Sequence, residues 1–160
     1  KRNHFIVNLV KSLKGNTLVL FQYVEKHGTV LFDMMSNTDM GGNLHYVYGG
    51  TDTEDRESVR EIVEQNNEDT ILASYGTFST GVNIKKIDNI VFASPSKSRI
   101  RNLQSIGRGL RKTEGKENMR LFDIADDLQY ENYTLNHLKE RINIYNEENF
   151  PYNIKQFDLK

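Results

Sequence analysis

Apolar residues follow two alternating periods along this chain. From Arg2 to Lys14, Phe5, Leu9, Val10 and Leu13 recur at helical spacing, and Gly15-Asn16 marks a stop. Thr17-Leu18-Val19-Leu20-Phe21 is then apolar at strand length, as in a parallel strand covered on both faces. Glu25 to Met35 predicts a helix, weakened by Gly28 and Thr29, and Leu44 to Tyr48 a strand that runs into Gly49-Gly50. Thr53 reads as the cap of a helix reaching about Gln65, with Glu54 and Asp55 in the first turn, where the helix dipole favours them. That helix is expected to bury Val59, Ile62 and Val63. Strands are predicted at Thr70 to Ala73, Asn89 to Ala93 and Met119 to Ile124. Helices are predicted at Ser98 to Leu110 and Leu135 to Tyr145, and a last strand at Tyr152 to Phe157.

Short apolar strands alternating with helices predict an α/β fold with a mostly parallel sheet. Ligands of such sheets sit beyond the carboxyl ends of the strands, so the loops after Phe21, Tyr48, Ser74 and Ala93 are the places to look. No repeat, low-complexity tract or linker divides the 160 residues, and one domain is expected.

Composition narrows the picture modestly. Hydrophobic residues make up 37% and charged residues 27%, ordinary values for a globular chain with a wet surface. With two prolines, extensive disorder is not expected. The absence of cysteine excludes disulfides and thiolate metal sites and fits a reducing compartment. No apolar run approaches the roughly 20 residues of a membrane span, so the expected location is the cytoplasm, with no membrane partner. A net charge of −1 offers no bulk attraction to nucleic acid, and any such binding must use a local patch or backbone amides. The chain opens on Lys1 rather than Met and enters helical pattern at once, as a fragment of a longer chain would.

The richest chemistry lies in Gln104-Ser-Ile-Gly107-Arg108-Gly-Leu-Arg111. On a helix, residues 104, 107, 108 and 111 share one face, while Leu103, Ile106 and Leu110 form a separate apolar stripe. Gly107 costs such a helix about 1 kcal/mol relative to Ala, which makes sense where something must approach closely. Alone, the face reads more readily as a solvated basic surface with a tolerated glycine. A second block, Ser74-Tyr-Gly-Thr77-Phe-Ser-Thr80-Gly81-Val-Asn83, follows a strand and is rich in hydroxyls and glycine. Such groups hold phosphates without net charge, although an ordinary turn has the same composition.

In order and spacing these blocks resemble motifs V and VI of superfamily 2 helicases. Phe21-Gln22-Tyr23 resembles motif IV, and Val47-Tyr-Gly-Gly50-Thr-x-x-x-x-Arg56 resembles the element between motifs IV and V. The likeness covers roughly residues 16 to 125 and identifies a C-terminal motor domain. It implies a RecA-like three-layer α/β domain over 1–160, with a leading helix over 1–15 and a C-terminal helical extension over 126–160. It implies arginine fingers at Arg108 and Arg111 with Gln104 beside them, and ATP contacts from Gly81, Asn83 and Gly107. Nucleic-acid contacts are implied at Gln22, Gly49, Gly50 and either Ser74 or Thr77. Where many relatives carry Asp, this chain has Asn83, which cannot act as a carboxylate. Closer likeness to the family's recombination helicases, in the motif V and VI runs and in His137 to Tyr145, implies DNA-stimulated ATP hydrolysis in recombination and repair. The implied substrates are forked or four-way DNA and RNA–DNA hybrids.

What the sequence lacks is equally informative. It contains no Gly-x-x-x-x-Gly-Lys-[Ser/Thr] phosphate loop and no Asp-Glu-x-His box. ATP and Mg²⁺ are therefore expected to be held mainly by a first RecA-like domain, and this chain alone is expected to be inactive. Asp123 and Asp126-Asp127 read as strand-end and capping residues rather than a Mg²⁺ site. His4, His27, His45 and His137 lack ligand spacing. Tyr133, Tyr145, Phe150 and Tyr152 are expected to pin the last helix to the core rather than to stack bases. Competing readings are a non-catalytic nucleic-acid-binding module with a degenerate motor fold, and a small-molecule enzyme whose helix arginines hold a phosphorylated substrate.

Overall fold

The computed structural model describes residues 1–79, 86–94, 119–126, 133–147 and 149–159. Five strands form one all-parallel sheet: β1 (Thr17–Phe21), β2 (Leu44–Val47), β3 (Thr70–Ser74), β4 (Asn89–Phe92) and β5 (Arg120–Asp123). Their order is β2-β3-β1-β4-β5, with β1 at the centre. The described helices are α1 (Arg2–Ser12), α2 (Thr29–Ser36), α3 (Thr53–Gln65), the short α4 (Tyr75–Ser79) and α5 (Tyr133–Glu147).

Side chains alternate across the sheet as the pleat requires. Leu18, Leu20, Ile71, Ala73, Ile90 and Phe92 pack on one face with Val63 of α3 and Tyr145 of α5. Val19, Phe21, Leu72 and Val91 pack on the other with Ile6, Val7 and Val10 of α1 and Leu31 and Met35 of α2. Every residue of β1, β3 and β4 is buried, which explains why these strands read as unbroken apolar runs. The result is a three-layer α/β/α domain.

The amino ends of the strands are tied together by one fully buried amide. Asn16 Nδ2 lies 3.1, 2.8 and 2.9 Å from the carbonyl oxygens of Val63, Asn66 and Lys86. Its Oδ1 accepts the backbone N–H of Asp69 at 2.9 Å, and its own carbonyl accepts the N–H groups of Asp88 and Asn89. One residue thus joins the start of β1 to the end of α3, the approach to β3 and the approach to β4. Gly15 makes the approach possible: it has φ +95°, and a Cβ there would lie 2.6 Å from an Asp88 carboxylate oxygen.

Several expectations are corrected. The helix predicted over Glu25 to Met35 is two pieces, a π-helical turn (Val24–Gly28) followed by α2. The wide turn is closed by N–H donation from Gly28 to the Tyr23 carbonyl at 2.9 Å, and Gly28 is buried where a Cβ would sit 2.4 Å from the Phe21 ring. Asp52, not Thr53, occupies the cap position of α3. Ile62 is 44% exposed, because α3 turns only Val63 and, in part, Val59 toward the sheet. Residues 151–159 carry no regular structure. Tyr152, Ile154, Phe157 and Leu159 find no strand to pair with and remain exposed, although the Phe157 ring rests 5.2 Å from that of Phe5. The helix expected at Ser98 to Leu110 lies outside the described residues.

His27 braces the π-helical turn. Its Nδ1 is 2.5 Å from Ser94 Oγ, just beyond β4, and its Nε2 is 3.1 Å from Asn3 Oδ1 on α1. A neutral ring fits both partners, with the Ser94 hydroxyl donating to Nδ1 and the Nε2 proton donated to Asn3. Burial holds the imidazole below its ordinary value, Arg2 adds to this and Asp126 opposes it.

Two stability predictions follow from these contacts. Asn16→Ala leaves three carbonyls and one N–H without their partner, so urea denaturation should show a loss of about 3 to 5 kcal/mol. A loss below about 1 kcal/mol would show that the amide is dispensable. The lowered His27 value means the unfolded chain takes up the proton first as pH falls. Its contribution is therefore complete above about pH 6.5 and declines below it. Between about pH 7.5 and about pH 5.5, wild type should lose more stability than His27→Gln; parallel pH profiles would contradict the brace.

Candidate nucleotide and nucleic-acid site

Register fixes which loops meet. Phe21 pairs with Ser74, Val47 with Ala73, Leu20 with Phe92, and Phe92 with Asp123, so all five strands end along one carboxyl edge. Gln22, Gly49-Gly50, the Ser74–Thr77 segment and Ser94 follow these ends directly. Of the residues singled out from sequence, Gln22, Gly49, Gly50, Ser74 and Thr77 are thereby brought to one side of the sheet. Gly81, Asn83, Gln104, Gly107, Arg108 and Arg111 lie outside the described residues.

The loop after β2 is a tight turn. Thr51 N–H donates to the Tyr48 carbonyl at 2.9 Å, and Thr51 Oγ1 accepts the Tyr48 N–H at 3.1 Å. Arg56 on α3 reaches back to the turn, with Nη2 3.4 Å from the Tyr48 carbonyl oxygen and 3.3 Å from that of Gly49. Its Nε is buried without a hydrogen-bond partner. Gly50 lies against the Tyr48 ring, where a Cβ would come within 2.9 Å. Gly49 is different. A Cβ there would meet nothing within 4 Å, and its backbone is not in the left-handed region, so packing gives no reason for glycine. Gly76, exposed after β3, likewise has open space.

Ser74 and Thr77 are both buried, and their hydroxyls pair at 2.7 Å. The Thr77 N–H also approaches Ser74 Oγ, at 3.4 Å. The two candidate hydroxyls thus form one unit under the loop surface rather than two separate ligands.

Two described carboxylates near this edge, Asp123 and Asp126, are engaged in ion pairs. Asp123 accepts hydrogen bonds from Arg141 Nε at 2.5 Å and Nη2 at 2.8 Å, and from the Tyr145 hydroxyl at 2.7 Å. Arg141 is itself fully buried, which makes this a clamp between β5 and α5. Burial pushes the Tyr145 phenol far up, and the Asp123 charge adds to this, so it stays a donor. Asp126 pairs with Arg2 of α1 at 2.9 Å. Asp123 thus ends β5 as expected, Asp126 is an ion-pair partner rather than a cap, and Asp127 lies outside the described residues. Tyr145 sits in the core with Phe150 packed against the same cluster, so these two pin α5 as expected, whereas Tyr152 is exposed with its ring 6.3 Å from that of Tyr145. Only the backbone of Tyr133, at the start of α5, is described.

Two contacts at this edge were not visible in the sequence. The His27–Ser94 pair spans 67 positions, and no local signal links its members. Arg56 appeared only as the last letter of a motif, and its grip on the Gly49 turn needs the α3 geometry.

Known proteins match this arrangement. Residues 1–113 match the family described as helicase conserved C-terminal domain. The chain is 35% identical to the ATP-dependent DNA helicase uvsW of Enterobacteria phage T4, over 99% of this chain and 34% of that protein. It is 29% identical to the putative ATP-dependent helicase IRC3 of Saccharomyces cerevisiae, over 81% of this chain and 21% of that protein. The chain thus spans about a third or less of these relatives. Among solved structures it superposes on T4 UvsW with a TM-score of 0.73 at 33% identity, covering 92% of this chain and 32% of that one. It superposes on the C-terminal domain of the DEAD-box protein Dbp5 with a TM-score of 0.68 at 14% identity, covering 91% and 79%. The latter supports the fold alone, which is that of a RecA-like helicase C-terminal domain. With its parallel sheet, its loops gathered at one edge and this match over residues 1–113, the chain belongs to the helicase conserved C-terminal domain family.

Proposed function

We propose that this chain is the second motor domain of an ATP-dependent DNA helicase or translocase acting in recombination and repair. Its substrates would be forked or four-way DNA and RNA–DNA hybrids, the kind of work implied by likeness to a phage DNA helicase. The observation that carries this reading is the register that lines up Gln22, Gly49-Gly50 and Ser74–Thr77 along one carboxyl edge. The open space at Gly49 and Gly76 supports it, because a glycine that packing does not require suits close approach of a phosphate to the backbone. In this reading Arg56 holds the Gly49 turn in place, and the Ser74–Thr77 hydroxyl pair holds the loop after β3.

Gln104, Arg108 and Arg111 would face ATP bound on a first motor domain, with Gly81 and Gly107 allowing close approach and Asn83 contacting the ribose. Water attacks the γ-phosphorus, the bond to the β-phosphate bridging oxygen breaks, and negative charge spreads over the transferred group. Two guanidiniums stabilise that charge, and such a finger is worth about 10³ to 10⁵ in rate. They gain these contacts only with the cleft closed, so nucleotide state biases domain closure. Mg²⁺ and most of the nucleotide would be held by the first domain.

Three tests address this reading. The isolated chain should turn over no ATP. In the full-length protein Arg111→Ala should remove at least about 99% of turnover while nucleotide binding survives, and turnover within a few-fold of normal would sink the finger assignment. Gly49→Ala should leave the melting temperature unchanged, since nothing is near its Cβ. It should lower affinity for single-stranded DNA several-fold; unchanged affinity would remove the Gly49 turn from the interface.

A further inference from the structure

Tyr23 is 59% exposed, among the most exposed large side chains in the domain, and it follows Gln22 directly at the carboxyl end of the central strand. Its side chain is in water but its backbone is not free. The Tyr23 carbonyl accepts the N–H groups of His27 at 3.1 Å and Gly28 at 2.9 Å. The π-helical turn that it opens is held from four directions. His27 is bonded to Ser94 beyond β4 and to Asn3 on α1, Gly28 lies against the Phe21 ring, and the Tyr46 hydroxyl reaches the Val24 carbonyl at 3.4 Å. Thr29 Oγ1 donates to the same carbonyl at 3.0 Å. Tyr46 stacks on Phe32 at 4.9 Å between centroids and meets the tilted ring of Tyr48 at 5.0 Å, a row that runs from α2 toward the Gly49 turn.

A π-helical turn is rare, and one this heavily braced is a fixed mount. What it mounts is an aromatic ring left in solvent, with Lys26 exposed three residues on and Glu25 also exposed. An aromatic on a rigid backbone loses little conformational entropy when it stacks. Sequence-tolerant contact with single strands is built from aromatic faces for bases and nearby cations for phosphates. Resting on the reading that nucleic acid crosses this edge, we propose that Tyr23 is a base-stacking residue. It takes the face of one unpaired nucleobase, and Lys26 meets a flanking phosphate. The interface thereby distinguishes unpaired from paired strand, since a base within a duplex has no free face.

The test uses the full-length protein and single-stranded oligonucleotides of DNA and of RNA, each in normal form and with a central abasic stretch. Tyr23→Ala should weaken binding of the normal oligonucleotide about ten-fold and leave its salt dependence unchanged. Tyr23→Trp should retain binding. The abasic oligonucleotide should bind wild type more weakly and be insensitive to Tyr23→Ala. Equal sensitivity of DNA and RNA is expected from a base face, whereas an effect on one alone would point to a sugar contact and overturn stacking. If Tyr23→Ala binds normally while Gly49→Ala is impaired, the stacking role is wrong and the interface stands. If wild type binds neither nucleic acid, both readings fall.

Discussion

The buried amide of Asn16 is the constraint on which this domain depends. A parallel sheet brings all its strand starts to one edge, where the connecting helices end and their last carbonyls need partners. The two hydrogens of Asn16 Nδ2, one of them shared, serve three carbonyls, and its Oδ1 accepts from Asp69 in return. Thr17 N–H donating to the Asp69 carbonyl and Asn89 Nδ2 donating to that of Lys14 extend the same knot. With the amino edge locked, the carboxyl edge can carry loops that are available to ligands.

That division of labour explains the pattern of polar burial. At the amino edge the buried polar groups are bonded to backbone and serve the fold. At the carboxyl edge the charged groups are sorted. Asp123 and Arg141 are consumed in the clamp between β5 and α5, and Asp126 in its pair with Arg2. Among the described residues, Gln22, the Gly49 turn and the Tyr23 ring stay accessible, beside the exposed charges of Glu25 and Lys26. A chain with a net charge of −1 can meet a polyanion through such a surface, because amides and ring faces need no global attraction.

The strands were legible because burial on both faces leaves no polar position to blur them; Thr17–Phe21 is found with the bounds its sequence predicts. The order of the motif-like blocks foretold the carboxyl edge for the same reason, each block following a strand. Asn16 was not legible. An Asn after Gly reads as a helix stop, and its partners lie 47 to 70 residues away. The π-helical turn was hidden behind Gly28, which read as a weak helical residue although it packs on Phe21. Alternation at Tyr152 to Phe157 misled, since a strand needs a neighbour as well as a pattern. Ser74 and Thr77, two alternatives in sequence, are one hydrogen-bonded pair.

The central claim is that nucleic acid and nucleotide engage the carboxyl edge while the Asn16 edge stays a passive anchor. Amide hydrogen exchange on the full-length protein, with and without single-stranded DNA and a non-hydrolysable ATP analogue, measures this directly. The account predicts slowed exchange at residues 22–28, 48–51 and 74–77, and no change at 14–17, 66–70 and 86–89. Protection confined to the second group, with both ligands bound, would contradict it.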